Sequence, residues 1–319
     1  MKKIVWFVCL LGILVSCERE SKHEKEISKI KVDLKVERFD KAFDEATPTD
    51  LPKLKQEYPF MFSKHISDSV WIARMKDTLQ QQLFDEVDKV FENFEPIEDE
   101  LVSLFQHLKY YDKSFKMPKV VTTTSDVDYR NKVIVTDSIV LLALDTYLGG
   151  EHEFYEGLQR YISQNMKPSQ ILPDMAAQYA EHYIYQSKRR TLLDEMIYYG
   201  KQLYFKDIML PFKSDAEKIG YTQEQLDWAI ANESNVWSYF VEKELLYDTD
   251  SNLPSRFINP APFTKFYLQL DSESPGRLGQ YMGWQIVRAY MENNDISLMD
   301  MLKKDAEEIF NNAKYKPLK

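Results

Sequence analysis

Two kinds of hydrophobic periodicity divide the chain. Apolar and charged residues alternate over residues 30–36, and β-branched runs follow at 120–124 and 132–136, so these segments predict strands. Over residues 68–94 the apolar positions recur mostly at steps of three and four, which predicts a helix. After residue 150 the pattern is helical throughout, with breaks at prolines.

These elements predict an α+β fold that is predominantly helical, with a small N-terminal sheet packed against a helical C-terminal part. The runs at 120–124 and 132–136 are expected to pair with each other, and residues 139–144 form a further apolar run. Pro96 is expected to end the long helix, before a short helix that reaches Leu108. Because 44% of the residues are apolar, the chain can bury a large core, as one domain or as two intimately packed halves. Residues 29–319 are predicted to form a single globular domain.

The N-terminal segment has the form of a signal peptide. Lys2 and Lys3 precede an almost unbroken apolar run over residues 4–15, which is too short for a transmembrane helix. The sequence LVSC, ending at Cys17, resembles the lipobox at which bacterial lipoproteins are cleaved and lipidated. We therefore predict a lipoprotein leader over residues 1–16 and a lipid such as palmitate on Cys17.

The predicted mature chain keeps a single cysteine. Cys9 lies in the leader, so no internal disulfide can form and Cys17 alone remains, at the position of the lipid. Two or more acyl chains at this position would hold the protein stably on a membrane. Residues 17–28 are highly charged and are predicted to tether the lipid to the domain.

The chain is acidic. Its formal net charge is −10, and removal of Lys2 and Lys3 with the leader lowers this by two, to about −12. An acidic surface repels phosphate groups, so nucleic acid is excluded as an expected partner. The membrane is the first partner to expect, through the lipid on Cys17.

The heptapeptide GEHEFYE, residues 150–156, begins like the zinc-peptidase motif H-E-x-x-H. Glu156 stands where the second histidine belongs. On a helix, His152 and Glu156 would share a face that points away from the apolar stripe of Phe154 and Leu158. The pattern therefore predicts a solvated helix face and no zinc site.

A second polar stripe lies in the segment PDMAAQYAEH. Asp174, Gln178, Glu181 and His182 fall on one face of a helix over residues 173–182. Such oxygen-rich groups suit calcium or magnesium better than zinc and could also share a proton. The alternative is an ordinary polar helix face, and on that interpretation the protein holds no metal and no cofactor.

Glycines mark a third segment, ESPGRLGQYMGWQIVRAYM. Gly276, Gly279 and Gly283 are three of the chain's nine glycines, and they accompany Arg277 and Trp284. A glycine inside a helix costs about 1 kcal/mol relative to alanine, so a close backbone approach or a partner surface is expected here. The spacing matches neither a dinucleotide fingerprint nor a P-loop, and the chain has no G-x-S-x-G elbow.

Several segments together resemble the GldB family, gliding-motility-associated lipoproteins of Bacteroidota. They are LVSC, ERFD, LDTYLGG, LLDEMIYYGKQLY, NPAPFTKF and the glycine segment, and the likeness extends from Cys17 to about Leu302. The resemblance implies an envelope lipoprotein required for gliding, linked to type IX secretion. Other gliding-motility envelope proteins are its implied partners. The implied location is the cell membrane or outer membrane, with the domain facing the periplasm.

The family is also distantly similar to zinc-dependent peptidases whose helix carries H-E-x-x-H. In that comparison DMAAQ occupies the place of the motif, with Asp174 and Gln178 where histidines belong and Met175 in place of the catalytic glutamate. The resemblance thus implies a degenerate zincin-like fold and a pseudoenzyme without catalytic residues. The alternative is a lipid-anchored, metal-dependent peptidase or hydrolase that uses the polar stripe of Asp174.

Overall fold

The structure is a computed structural model that describes residues 23–269 and 271–318. The strands of this part of the chain all come from its first half and form one four-stranded sheet. The predicted architecture, a small sheet from the first half in a mainly helical fold, is therefore confirmed. The strands are β1 Val36–Arg38, β2 Lys119–Thr123, β3 Val133–Val135 and β4 Ile139–Ala143.

The strand order in the sheet is β1-β2-β4-β3. Strand β2 runs parallel to β1 and to β4, and β3 pairs antiparallel with β4. The expected pairing of residues 120–124 with 132–136 is wrong, because β4 lies between them. Val120 and Val121 point to opposite faces and are both fully buried, as expected of a central strand, whereas Ile134 of the edge strand β3 is 41% exposed.

Only the end of the strand predicted at residues 30–36 enters the sheet. The alternation is real, since Val32 and Leu34 are half-buried against the core while Lys31 and Asp33 are exposed. Pairing with β2 nevertheless begins at Val36. The periodicity therefore identified the buried side of this segment but not the extent of its hydrogen bonding.

The sheet separates two hydrophobic clusters. Val121 packs with Phe39 and Phe43 in a smaller cluster that the first-half helices supply. Val120 and Val140 belong to the main core, which the second-half helices complete. The helices of the first half are α1 Phe39–Asp44, α2 Leu51–Glu57, α3 Asp68–Met75, α4 Thr78–Val90 and α5 Glu95–Tyr111.

The helix predicted over residues 68–94 is divided into α3 and α4. The Asp77 carboxylate accepts a hydrogen bond from the Gln80 amide (2.9 Å) and so caps α4 at its N-terminus. Leu79, expected on the apolar face, is 65% exposed. Helix α5 has a proline in its first turn and extends to Tyr111, beyond the predicted end.

Helices α8 and α13 form the centre of the main core, and α7 packs between α8 and β3. Helix α8 begins with a capping box between Thr191 and Asp194. None of the helices described is both long and apolar enough to cross a membrane. The second-half helices are α6 Arg160–Ser163, α7 Ile171–Tyr183, α8 Leu192–Met209, α9 Asp215–Ile219, α10 Gln223–Ala231, α11 Glu233–Glu242, α12 Leu253–Phe257, α13 Leu278–Asn293, α14 Leu298–Leu302 and α15 Ala306–Ala313.

The first described residues lie against α5. Residues 23–27 form a helical turn in which Ile27 is only 2% exposed. The Glu24 carboxylate lies 3.3 Å from Nε2 of His107 on α5. The leader and Cys17 fall outside the described residues, so the lipid anchor stays a prediction.

Candidate functional site

Asp174 lies in the first turn of α7, and its carboxylate is already paired. The Lys132 ammonium, just before β3, forms an ion pair with Oδ2, and the Tyr147 hydroxyl donates to the same oxygen at 3.0 Å. Burial and the nearby Asp174 charge raise the pKa of Tyr147, which keeps this hydroxyl a donor. The same ammonium lies 5.2 Å from the centre of the Tyr147 ring.

Lys206 brings a second cation to this region from the last turn of α8. Its ammonium donates to the main-chain carbonyl of Lys218 at 2.9 Å. Burial lowers the pKa of Lys206 to about 8; the charge of Asp174 opposes this shift, and those of Arg277 and Lys132 add to it. The charges of Asp174, Arg277 and Lys132 thus all act on Lys206.

Arg277 supplies the third cation. It precedes α13 in a left-handed conformation (φ 62°) and donates from Nη2 to the Gly220 carbonyl at 2.9 Å. Its guanidinium lies 5.3 Å from the centre of the Tyr221 ring. Burial lowers the pKa of Arg277, with Tyr221 and Asp174 opposing the shift. We call the region formed by Lys132, Tyr147, Asp174, Lys206 and Arg277 the Asp174 cleft.

The charge of the Asp174 cleft opposes the metal hypothesis. Three cations surround one carboxylate, and a divalent ion would have to displace Lys132 and approach Lys206 and Arg277. In residues 23–269 and 271–318, no group of three or more His, Cys, Asp or Glu side chains is placed to hold a metal. The absence of a bound metal in solution remains a prediction.

The predicted polar stripe does not act as one group. Asp174 and Gln178 are half-buried, whereas Glu181 and His182 are exposed at the other end of α7. At 1.5 Å per residue, Glu181 lies about 10 Å further along the helix axis than Asp174, too far to share an ion. Asp174 therefore belongs to the cleft, whereas Glu181 and His182 lie on a solvated end of the helix.

His152 does not lie on the solvated helix face that the sequence predicts. Residues Glu153–Tyr155 form a 3₁₀ turn, and the His152 side chain caps it by accepting from the Phe154 amide at 3.2 Å. Its Nε2 lies 3.3 Å from the Glu86 carboxylate, and its side chain is 13% exposed. Glu156 is exposed, so the two residues do not share a site.

The glycine segment brings α13 into close contact with α8. A Cβ atom on Gly283 would overlap the carbonyl oxygen of Met196 and lie 3.1 Å from its Cα. A Cβ atom on Gly200 would overlap the Gly283 carbonyl from the other side and lie 2.9 Å from the Trp284 amide nitrogen. This is the close backbone approach between α8 and α13 that the helical glycines predicted.

The other glycines of the segment also face main chain. A Cβ on Gly279 would lie 2.8 Å from the Phe257 carbonyl oxygen, and one on Gly276 would overlap the Ala261 carbonyl. Trp284 is fully buried. The three glycines and Trp284 are thus committed to packing, which favours a structural role over an exposed partner surface.

A charge network behind Trp284 was not foreseen from the sequence. The Trp284 indole nitrogen donates to Asp207 at 2.8 Å, and the Arg288 guanidinium lies 3.7 Å from the centre of the indole. Arg288 also donates to Asp207 and Asp215, two bonds to each, at 2.8–3.0 Å. Lys218 pairs with both carboxylates, so the network is balanced in charge and joins α8, α9 and α13.

A strained loop at the carboxyl ends of β2 and β4 was also missed. Asp126 and Val127 both have positive φ angles (58° and 61°), which is rare for a β-branched residue. The fully buried Asp145 carboxylate accepts from the amides of Ser125 (3.0 Å) and Val127 (2.7 Å). Strain of this kind is commonest at functional sites, and no sequence pattern signalled it.

Comparison with protein families gave one match. A family model described as gliding motility protein GldB matches residues 20–317. Every helix and strand defined above lies in that span. Neither the curated proteins nor the solved structures gave a match.

Proposed function

The chain belongs to the GldB family of gliding motility lipoproteins, and from this membership we propose that it is an envelope lipoprotein required for gliding. In this proposal a lipid on Cys17 holds it at the cell membrane or outer membrane, facing the periplasm. It acts as a non-catalytic component that supports the gliding machinery linked to type IX secretion. Its partners are other gliding-motility envelope proteins.

The environment of Asp174 is the observation that carries the non-catalytic role. A catalytic zinc needs three protein ligands and a base that takes a proton from bound water. At the corresponding place, α7 offers a carboxylate already paired with Lys132 and buried apolar Met175, while Arg277 and Lys206 add positive charge. These features support the proposal that α7 carries no metal chemistry.

The proposed anchor would keep the domain close to the membrane. Five residues lie between Cys17 and His23, and the six residue steps from one to the other span at most about 20 Å. From His23 onward the chain packs on α5, where its imidazole bonds the Tyr110 hydroxyl at 2.6 Å. The surface around α5 would therefore lie nearest to the membrane.

A complementation experiment tests the proposal. A strain lacking the gene would receive wild-type protein or the double variant Asp174→Asn, His182→Ala, with equal abundance checked by immunoblot. We expect loss of gliding in the deletion strain, near-normal gliding with the double variant, and far less than one zinc per purified wild-type chain.

The same experiment can favour the alternative function. One zinc per chain, together with loss of gliding in a stable and abundant double variant, would support a lipid-anchored, metal-dependent hydrolase. A deletion strain that glides normally would contradict the motility role itself.

A further inference from the structure

The Asp174 cleft holds more positive charge than its protein partners neutralise. Lys132 and Asp174 balance each other as an ion pair. Within the described part of the chain, neither Lys206 nor Arg277 forms an ion pair with a carboxylate. The carbonyls to which they donate belong to Lys218 and Gly220, two residues apart, so two uncompensated cations lie near each other in a protein whose net charge is −10.

Three other enclosed cations of the second half contrast with this pair. Lys213 pairs with Glu100 at 2.8 Å, and Lys218 pairs with Asp207 at 3.0 Å. Arg288 binds two carboxylates. These three cations are neutralised, which offsets the cost of burying a charge. Lys201 is the exception: it is only 2% exposed and donates to the main-chain carbonyls of Leu302 and Lys304.

Lys206 and Arg277 also have more N–H donors than hydrogen bonds within the protein. An ammonium has three N–H donors and a guanidinium five, and each group makes one bond, to a main-chain carbonyl. Both side chains are half-buried: protein atoms surround them on most sides, but each keeps some exposed surface. Arg277 has no nitrogen that is both buried and unbonded, so its spare N–H donors reach solvent.

We propose that the Asp174 cleft binds a phosphate group, with Lys206 and Arg277 as its ligands. A doubly charged oxyanion would balance the two uncompensated cations, and the guanidinium fork beside a lysine suits phosphate geometry. The Asp174 carboxylate does not prevent this, because Lys132 and the Tyr147 hydroxyl already engage it. The group can come from a soluble phosphate ester or from a lipid headgroup, since both present the same chemistry.

Titration of the purified full-length protein in uncharged detergent tests the site. Inorganic phosphate would be added at constant ionic strength, with chloride as the comparison, and binding followed by calorimetry and melting temperature. We expect saturable phosphate binding to the wild type, at least tenfold weaker binding to Lys206→Met and Arg277→Met, and no change in Lys243→Met. Lys243 is exposed, so the last variant removes the same charge away from the cleft.

In these variants, a loss of phosphate binding can be distinguished from unfolding. Removing an uncompensated cation should leave the melting temperature without phosphate unchanged or raised, so a loss of binding would not reflect unfolding. A second titration, with micelles carrying phosphatidic acid, identifies the source of the group. Binding of these micelles but not of free phosphate, through Lys206 and Arg277, would assign the site to a lipid headgroup.

Three results would overturn the proposal. They are equal responses to phosphate and chloride, equal responses in Lys206→Met and the wild type, and no response in either titration. None of these measurements uses motility. The phosphate site can therefore fail while the gliding role stands, and the reverse also holds.

Discussion

Replacement of Gly283 by alanine tests the contact between α8 and α13 most directly. The added Cβ would overlap the Met196 carbonyl oxygen, and this atom belongs to the backbone of α8, so it cannot rotate away. The two helices must separate, and the surrounding core must repack. Overpacking a core costs about 1–3 kcal/mol, and a rigid backbone neighbour favours the upper end of that range.

The net loss is smaller because alanine favours the helix. Glycine to alanine gains about 1 kcal/mol of helix propensity, which leaves a predicted destabilisation of about 2 kcal/mol for Gly283→Ala. The predicted domain has roughly 290 residues, and an unfolding entropy of about 2.1 cal/mol/K per residue makes the melting temperature lower by about 3 °C. Calorimetry and urea unfolding of the purified protein would measure both quantities.

Two companion variants sharpen the test. In Gly279→Ala the nearest atoms would be 2.8 Å away and one of them is the flexible end of Ile258, so the loss should be smaller. Gly200→Ala separates the same helices as Gly283→Ala, so the double variant should lose less than the sum of the two by at least about 0.5 kcal/mol. An unchanged or raised melting temperature for Gly283→Ala would refute the close approach of these helices.

Three further predictions concern the charge network, the strained loop and the anchor. Arg288→Met should lower the free energy of unfolding by about 1–3 kcal/mol at pH 7, because two partly buried carboxylates lose their partner. Burial opposes ionisation of Asp215, but Arg288 and Lys218 lower its pKa below the ordinary 3.8. The stability from this pairing is therefore present above pH 3.8 and is lost as the pH falls through the lower pKa of the folded state. If the urea midpoints of Arg288→Met and the wild type differ by the same amount at pH 7 and at pH 3, this account is wrong. Asp145→Ala removes the acceptor of the Ser125 and Val127 amides, so their hydrogen exchange should rise at least tenfold, and unchanged exchange would show that the loop holds its conformation unaided. In a detergent partitioning assay, Cys17→Ala should move to the aqueous phase, and its melting temperature should equal that of the wild type. A processed variant that still enters the detergent phase would disprove lipidation at this residue.

The sequence was sufficient for the fold class but not for the strand pairing. Periodicity located the buried side of residues 30–36, the β-branched runs and the helices of the second half. It could not reveal that β4 inserts between β2 and β3, because pairing depends on contacts between segments and not on local pattern. The division at Asp77 was missed for a related reason: the apolar spacing continues across it, and only the capping bond ends the helix.

The Asp174 cleft shows why a helical stripe alone was a poor guide to a site. On α7, the polar face presents two carboxylates, an amide and an imidazole, which together favour a cation. In the fold, Lys132 arrives from the edge strand, Lys206 from the end of α8 and Arg277 from the start of α13. These residues are far apart in sequence and none belongs to a recognisable motif, so the sign of the local charge could not be derived from the stripe. Because three cations lie near one carboxylate, the start of α7 favours an anion instead of a cation. The fold thus replaces the predicted metal site with the proposed phosphate site.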